Sequence, residues 1–403
     1  MNRKIIIPLI ALFLFSCEKS TDNEILKFYG DAYEDIGYSV AKTQSGYLIA
    51  GQYTQVTRMD DKILSTSKKM ALITIGAEGS EIRKDTLGGK HEASGAKVIA
   101  LDDGTSVLAG TIYNSTTGQD LYLARFAPGG EGVTLKIFRW PDNQYSTDII
   151  QTSGGFVLLG TTDGETGTTN DTGNRKGKKD ILLMRLSNTL DSIRTTHCGF
   201  PGNDEGAALK QVNDDLFVVA ASTENDAAGL KNIYLLTVNS FLNSTNPRLI
   251  EGPGTETAAD FEIVNDGFGN PQYYLIAGNS ISEGAQSGHI WKIPFDEKKP
   301  WSDHPIIIDP EETSPRSFTI NAMCKYKTNS FVLAGQYGTA SGGDMLIFVA
   351  DANGYADYGR IRKSGGTGSQ SAYDVITNDD DIIAVGKNSY ENNSLITFMK
   401  FGF

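Results

Sequence analysis

The sequence predicts an all-β fold made of seven copies of one unit, and three observations support this. A short motif recurs seven times: an aromatic or aliphatic residue, then branched apolar residues, then a small residue. Successive copies end 50 to 61 positions apart, a period typical of propellers and other repeat arrays. The chain has 44 glycines and only 12 prolines, which fits many tight turns.

The repeated motif predicts the second strand of a four-stranded unit. Its copies are Tyr47–Gly51, Ser106–Gly110, Phe156–Gly160, Phe217–Ala221, Tyr274–Gly278, Phe331–Gly335 and Ile382–Gly386. They are nearly continuous apolar runs, as expected for strands buried on both faces. First-strand candidates precede them at Tyr38–Val40, Ala96–Ile99, Thr147–Ile150, Ala207–Leu209 and Tyr373–Ile376.

Third and fourth strands follow the motif in each unit. Third-strand candidates are Met70–Ile75, Leu121–Phe126, Ile181–Leu186, Ile233–Val238, His289–Ile293, Met345–Val349 and Leu395–Lys400. Fourth-strand candidates are Glu81–Leu87, Thr134–Phe138 and Ser192–Thr196, whose charges suit the outer edge of a sheet. Seven units of four antiparallel strands predict a seven-bladed β-propeller.

The last unit stops after its third strand, and the N-terminal segment supplies a candidate for the missing one. Residues 24–30, Glu-Ile-Leu-Lys-Phe-Tyr-Gly, are similar to residues 81–88, which form the predicted fourth strand of the first unit and the glycine after it. We therefore expect an N-terminal strand to complete the last blade and close the ring. The predicted propeller domain spans residues 24–403.

The first residues have the pattern of a targeting segment. Arg3 and Lys4 precede the apolar run Ile5–Phe15, which is too short for a transmembrane helix and suits a signal peptide. The run ends at Leu14-Phe15-Ser16-Cys17, which resembles the bacterial lipobox. The resemblance implies a signal peptide over 1–16, a lipid on Cys17 that anchors the chain in a membrane, and a tether over 17–23. The alternative is an ordinary signal peptide with a chance cysteine.

The repeat units resemble a broad group of bacterial, Bacteroidota-type propeller lipoproteins. Gly154–Gly160 followed by Asp180–Leu186 is the copy most similar to their repeats, and the resemblance covers about residues 24–403. The acidic segment Glu18–Glu24 also resembles the surface-export signals of Bacteroidota lipoproteins. The resemblance implies an outer-membrane lipoprotein, with the periplasmic and cell-surface orientations both open. It implies an architecture and no particular activity.

Charge and cysteine content restrict the partners. The formal net charge is −13, which argues against generic nucleic-acid binding, since that requires a basic surface. Cys198 and Cys324 fall three blades apart, so we expect two unpaired, buried thiols rather than a disulfide.

The length of the connecting loops predicts a functional face. Loops between second and third strands share a face with the connections between blades, and the long insertions Gln52–Lys69 and Thr161–Lys179 fall there. Binding usually resides on variable loops of a rigid scaffold, although neutral loop growth is the alternative. The insertions carry basic residues that predict an anionic partner, such as a lipid headgroup, lipopolysaccharide or an acidic protein patch. These residues are Arg58, Lys62, Lys68, Lys69, Arg175, Lys176, Lys178 and Lys179; a solvated flexible loop is the alternative.

Acidic residues recur in the turns between blades. They are Asp31, Glu34, Asp35, Glu92, Asp204, Glu205, Glu256, Glu311 and Glu312. Several are expected to rim the central channel, where they could bind a divalent cation. No run has the spacing of a calcium-binding loop, so we assign no metal site.

Catalytic signals are weak, and we expect a binding protein. The four histidines, His91, His197, His289 and His304, show no metal-ligand spacing, and no serine-centred nucleophile elbow is present. The sequence favours a non-enzymatic binding or scaffolding module without a cofactor, acting as an accessory subunit of an outer-membrane or cell-surface assembly. A protein partner in that membrane is expected, and a glycan is a further candidate. The alternative is a carbohydrate-active or other hydrolytic propeller that uses paired carboxylates.

Overall fold

The protein is an all-β, seven-bladed propeller, as the repeat predicts. A computed structural model describes residues 24–31, 33–59, 62–130, 132–163, 178–224, 229–245, 247–252, 254–282, 284–300, 305–307, 317–338, 342–391 and 393–403. The strands form seven separate four-stranded antiparallel sheets. The predicted signal peptide, Cys17 and the tether over 17–23 lie outside the described residues.

Each blade follows the predicted order of strands. The first strand of the described residues is β1 (Ile25–Tyr29). Blade 1 contains β2 (Ile36–Lys42), β3 (Gly46–Met59), β4 (Lys62–Gly76) and β5 (Glu81–Leu87). Blade 2 contains β6 (Ala93–Ala100), β7 (Ser106–Asn114), β8 (Gly118–Phe126) and β9 (Val133–Phe138), with a short 3-10 turn at Pro128–Gly130. Blade 3 contains β10 (Gln144–Thr152), β11 (Gly155–Thr162), β12 (Asp180–Leu186) and β13 (Ser192–Cys198).

The remaining blades repeat the pattern, and the outer strands of blades 4 and 5 are short. Blade 4 contains β14 (Asp204–Asn213), β15 (Leu216–Thr223), β16 (Asn232–Asn239) and β17 (Arg248–Ile250). Blade 5 contains β18 (Thr255–Asn265), β19 (Pro271–Ser282), β20 (Ala285–Pro294) and β21 (Ile306–Ile307). Blade 6 contains β22 (Phe318–Tyr326), β23 (Ser330–Tyr337), β24 (Asp344–Asp351) and β25 (Ala356–Ser364). Blade 7 contains β26 (Ser369–Asn378), β27 (Asp381–Tyr390) and β28 (Asn393–Gly402), and it ends with β1.

The N-terminal strand closes the ring, which confirms the sequence prediction. β1 pairs antiparallel with β28, from Ile25 opposite Lys400 to Tyr29 opposite Ile396. Tyr29 is buried, and its hydroxyl donates to the Gly79 carbonyl of blade 1 at 2.7 Å. The closing strand therefore pairs the N-terminal segment with β28 in blade 7, and it also contacts blade 1.

The hydrophobic core lies between neighbouring blades. Second and third strands contribute most of it, because both of their faces are covered: Ile49, Leu108 and Leu183 are fully buried. One cluster, for example, packs Val107 and Leu121 of blade 2 against side chains of blade 3. Burial of apolar area on both faces of each sheet stabilises the disc by about 25 cal/mol per Å². The two faces of the disc are left for other roles. The loop-rich face carries the connections between second and third strands and between blades, and the short-turn face carries the other turns.

Every inner strand contains a β-bulge at the same place. One residue of the first strand has no partner on the second strand in each blade. We call these residues the bulge layer: Tyr38, Ala96, Thr147, Ala207, Ala259, Asn321 and Tyr373. A bulge re-aims the side chain it carries and often lies beside a functional site.

The first long insertion is a hairpin arm, which differs from the predicted loop. β3 extends to Met59 and β4 begins at Lys62, so most of Gln52–Lys69 is paired strand. Met59, Ile63 and Leu64 at its end are exposed. In the second insertion, residues 164–177 lie outside the described part of the chain.

The prediction for the two cysteines is confirmed in part. Cys198 and Cys324 are unpaired, as expected, but only Cys198 is buried, since Cys324 is partly exposed. In the described part of the chain, no helix is long and apolar enough to span a membrane.

Candidate functional site

Below the bulge layer, seven backbone N–H groups face the centre of the ring, and side chains accept all of them. The donors are Val40, Val98, Ile149, Leu209, Phe261, Met323 and Val375, one in each inner strand. Asp148, Asp260 and Asp374 each accept two, one from the next residue and one from the next blade, at 2.7–3.0 Å. The seventh, from Val98, reaches the Ser39 hydroxyl at 3.3 Å. Buried backbone donors must be paired, so three aspartates and one serine complete the inner edge of the propeller.

We call the residues that directly follow the bulges the ring layer: Ser39, Lys97, Asp148, Ala208, Asp260, Ala322 and Asp374. Lys97 lies 3.1 Å from the Asp374 carboxylate. Burial alone would lower the pKa of Lys97, but Asp374, Asp148 and Asp260 outweigh this and raise it. Burial raises the pKa of Asp148, and Lys97 opposes that rise. Lys97 thus remains a cation among three carboxylates.

A second lysine extends the charge network down the channel. Lys210 lies 2.7 Å from Glu262 and 3.6 Å from Asp260. Burial lowers its pKa, but the two carboxylates overcome this and raise it. The carboxylates of the channel are therefore engaged with backbone donors and lysines.

Above the ring layer, the bulge layer opens into a cavity of about 670 Å³ on the axis of the propeller, which we call the axial mouth. Six of the seven bulge residues line it, and all of its walls in the described part of the chain are uncharged. The lining residues are Tyr38, Ser94, Gly95, Ala96, Thr111, Gln119, Tyr145, Ser146, Thr147, Ala258, Ala259, Asn279, Ile320, Asn321 and Tyr373. On a chain with a formal net charge of −13, such a neutral surface is distinctive.

Hydrogen bonds to the backbone hold two amide side chains of the mouth in place. Asn279 accepts the Ile320 N–H at 2.7 Å and donates to the Ile320 carbonyl at 2.8 Å. Asn321 donates to the Ala372 carbonyl at 2.7 Å and to the Ser371 hydroxyl at 3.1 Å. These amides therefore occupy fixed positions before any ligand arrives.

Two tyrosines form one side of the mouth. The rings of Tyr38 and Tyr373, on blades 1 and 7, lie 5.5 Å apart between centroids and are tilted by 52°. Tyr145 of blade 3 is exposed by 39%. Burial, with Tyr373 and Glu34 adding to it, raises the pKa of Tyr38 to about 12. The Tyr38 hydroxyl is consequently neutral at physiological pH and can both donate and accept a hydrogen bond.

The acidic residues of the turns between blades serve mainly as internal acceptors, rather than as the expected channel rim. Asp35 is fully buried and accepts the N–H groups of Asp31 at 2.8 Å and Thr54 at 2.6 Å. Asp204 accepts the Phe200 N–H at 2.8 Å, and Glu256 accepts an N–H two residues earlier in its own turn. Glu311 and Glu312 lie outside the described residues. Within the described ranges, no group of three or more His, Cys, Asp or Glu side chains is placed to hold a metal ion.

The predicted basic residues are spread over several environments. Lys69 is buried, and its ammonium donates to the Ser67 hydroxyl and the His91 carbonyl. Lys68 pairs with Glu34 at 2.6 Å, and Lys179 pairs with Glu205 at 3.3 Å. Lys178 also has a partner. Arg175 and Lys176 lie outside the described residues.

Arg58 and Lys62 are exposed near the end of the hairpin arm. They are therefore the described members of the basic set most available to a partner. Binding of an anion by the set stays a prediction.

Two further cavities lie away from the axis. The larger, of about 970 Å³, is a groove on the short-turn face between blades 1 and 2. Its charged side chains serve local structure: Arg83 pairs with Asp85 at 2.7 Å, for example. A cavity of about 560 Å³ lies beside the hairpin arm, lined by Tyr33, Tyr53 and Arg58 among others. The axial mouth is the candidate site because several blades contribute to it and its polar groups are held in place.

Known proteins resemble this chain only in fold. No family model matches it, and no curated protein sequence does. The β-propeller domain of the trilobed protease from Pyrococcus furiosus, described as having an open velcro topology, aligns with a TM-score of 0.49 and 11% identity, over 91% of this chain and 94% of that one.

Longer enzymes align in part. Trypanosoma rangeli sialidase in complex with sialic acid gives a TM-score of 0.46 at 10% identity, over 90% of this chain and 59% of that one. Uncomplexed Pyrococcus horikoshii acylaminoacyl peptidase gives 0.49 at 11%, over 92% and 52%. This chain spans a little more than half the length of these two enzymes. At such identities the likeness concerns the propeller fold and indicates no activity.

Proposed function

We propose that the protein is a non-enzymatic binding module, anchored in the outer membrane through a lipid on Cys17, that holds its ligand or part of its partner in the axial mouth. One observation carries the proposal: the mouth is a neutral cavity whose amides are fixed by the backbone, at the centre of the loop-rich face. Concave sites with a few fixed polar groups are the usual form of a ligand pocket.

The position of the carboxylates, and the hydrogen bonds they already make, favour binding over hydrolysis. A general acid or base must exchange a proton with the substrate and lie within hydrogen-bond reach of it. Asp148, Asp260 and Asp374 each hold two backbone N–H groups below the mouth, so these side chains support the ring. The hydrolytic alternative requires a pair of carboxyl groups that face the ligand, and the mouth is lined by neutral residues.

The position of β1 supports an orientation for the anchored disc. Ile25 pairs with Lys400, whose ammonium donates to the Ala77 carbonyl in a short-face turn. β1 therefore begins near the short-turn face. Seven residues lie between Cys17 and Ile25, and the eight Cα–Cα steps from one to the other span at most about 28 Å in a fully extended chain. A lipid on Cys17 would hold the short-turn face towards the membrane and present the axial mouth away from it.

A pulldown from gently solubilised outer membrane tests the proposal, with the full chain as bait. Ala96→Trp places a bulky side chain in the axial mouth, and Ala127→Trp does the same in the groove on the short-turn face. We expect Ala96→Trp to abolish retention of the bound species and Ala127→Trp to leave it unchanged. Retention by both variants would contradict binding at the mouth. Recovery of the bound species in cleaved form would favour the hydrolytic alternative.

A further inference from the structure

We infer that the ligand of the axial mouth is a neutral saccharide; this rests on the binding role proposed above and adds the chemical class of the ligand. The inference depends on three properties of the described lining: its shape, its hydrogen-bonding groups and its charge.

The shape of the mouth departs from the symmetry of the scaffold. The same bulge position is tyrosine on the adjacent blades 7 and 1, and alanine on blades 2, 4 and 5. Closure of the propeller does not require this difference in side-chain size between blades, since the bulge occurs in every blade. Two large flat rings form an aromatic wall on one side of the mouth, and Ala259 on the far side leaves space in front of it. Such a wall packs against the apolar face of a sugar ring, while the edge of that ring keeps its hydroxyls free.

The hydrogen-bonding groups of the mouth both donate and accept. The hydroxyls of Tyr38, Tyr145 and Tyr373 bond to no other described residue, and neither does the hydroxyl of Thr147. The Gln119 side chain adds an amide at the rim. A hydroxyl of a sugar also donates one hydrogen bond and accepts others, so this set of groups matches a polyhydroxylated ligand.

The charges around the mouth disfavour ionic ligands. The chain is acidic overall, and Asp148, Asp260 and Asp374 lie one residue below the bulge layer, so an anion meets like charges. Lys97 and Lys210 already pair with Asp374 and Asp260, so these carboxylates are engaged and offer little to a further cation. A ligand without formal charge depends on neither interaction. The cavity of about 670 Å³ falls within the usual range for small ligands.

Titration calorimetry of the purified full chain tests the inference. The probes are neutral oligosaccharides, the same backbones carrying uronic acids, and choline as a cationic probe. We expect binding of neutral sugars, binding of the uronic-acid forms about tenfold weaker or worse, and no binding of choline. Binding of choline alone, or of the acidic sugars in preference, would overturn the inference.

Variants of the aromatic wall locate the binding. Tyr373→Ala should weaken the affinity for neutral sugars about tenfold or more, and Tyr373→Phe should have a smaller effect because it keeps the ring. Tyr358→Ala is the matched control, since Tyr358 is an exposed tyrosine on the outer strand β25. If Tyr373→Ala lowers the melting temperature, Ala259→Trp fills the mouth from the other side and should also abolish binding. Unchanged binding in both variants would place the sugar elsewhere and overturn the inference.

The two proposals fail separately. If no neutral sugar binds while Ala96→Trp still abolishes retention in the pulldown, the saccharide inference is wrong and the binding role stands. If Ala96→Trp leaves retention unchanged, and sugar binding is also unaffected by changes in the mouth, both proposals are wrong.

Discussion

Successive residues of the same seven strands have opposite roles in this protein. The ring layer supplies acceptors for seven backbone donors, and its three aspartates occur in alternate blades, 3, 5 and 7. The bulge layer, one residue earlier, makes no comparable set of bonds and varies from alanine to tyrosine. The comparison teaches that closure of the scaffold fixes one layer and leaves its neighbour free to shape a site. The predictions below test this division, from the largest expected effect to the smallest.

The division requires a closed ring, so loss of the closing strand should have the largest effect. Deletion of residues 24–30 removes all of β1, with its pairing to β28 and the buried Tyr29 hydroxyl bond to Gly79. We expect the melting temperature to fall by roughly 5 °C or more, because several kcal/mol of contacts are lost. Thermal unfolding followed by circular dichroism measures it. Tyr29→Phe removes only the hydroxyl bond and should cost about 1 kcal/mol; an unchanged melting temperature in the deletion would refute closure by β1.

Removal of one ring aspartate should be the next most damaging change. Asp374→Ala leaves the N–H groups of Val40 and Val375 without acceptors and Lys97 without its nearest carboxylate. We expect a loss of about 3–5 kcal/mol in the free energy of unfolding, measured by urea denaturation. Asp357→Ala is the control, since it removes an exposed aspartate paired with Arg360. That change should cost less than about 1 kcal/mol. Equal losses would show that the ring layer is not special.

Asp204, a buried aspartate outside the ring layer, is expected to make the stability of the protein depend on pH. Burial raises the pKa of Asp204 to about 7, its hydrogen bonds oppose the rise, and the charge of Asp180 adds to it. An unfolded aspartate has a pKa of about 3.9. The folded state therefore binds the extra proton between about pH 4 and 7, and the stability from that proton is present below this window and is lost as the pH rises through it.

Asp204→Asn should remove this dependence. The asparagine oxygen can still accept the Phe200 N–H, and it carries no charge to desolvate. We expect the variant to be more stable than the natural protein at pH 8, by about 2–4 kcal/mol, with the difference shrinking towards pH 4. Urea denaturation across this range measures it. A difference that does not change with pH would show that Asp204 does not titrate there.

The smallest effects compare the two layers directly with single hydroxyl residues. Ser39→Ala in the ring layer removes the acceptor of the Val98 N–H and should cost about 1–2 kcal/mol. Thr147→Ala in the bulge layer removes a side chain that lines the axial mouth and should cost less than about 0.5 kcal/mol. Urea denaturation of both variants measures the contrast. A larger cost for Thr147→Ala would reverse the assignment of the two layers.

The sequence predicted the blades and the closure because those signals are local. Each second strand is a continuous apolar run, such as Phe156–Gly160, and β1 shares its pattern with β5. The hairpin arm was predicted as a loop because its paired segments, such as Thr54–Arg58, are largely polar and exposed, so no buried face imposes a pattern on them.

The axial mouth was not predicted, although several of its residues lie in the predicted first strands. Tyr38, Thr147 and Tyr373 each begin a predicted first strand, and Asp148 and Asp374 follow in the same column. Alignment of these segments would have exposed the two layers. A bulge, however, is a property of two strands in register, and an aspartate that serves the next blade depends on a contact 61 residues away. The role of the acidic turn residues was not predicted for a related reason. From the sequence alone Asp35 has the pattern of a solvated charge, and its N–H partners are known only from the structure.

The closing strand also sets the order of events when the protein is made. β1 is the first of the described strands to leave the ribosome, and its partner β28 is the last of them. Blade 7 therefore remains one strand short until β1 pairs with β28, and pairing across nearly the whole chain is expected to be slow. Until β28 has emerged, β1 is available to other chains, and until the two strands pair the outer edge of β28 is available as well. A factor that shields an unpaired strand would be most useful to this protein before residue 393 has emerged.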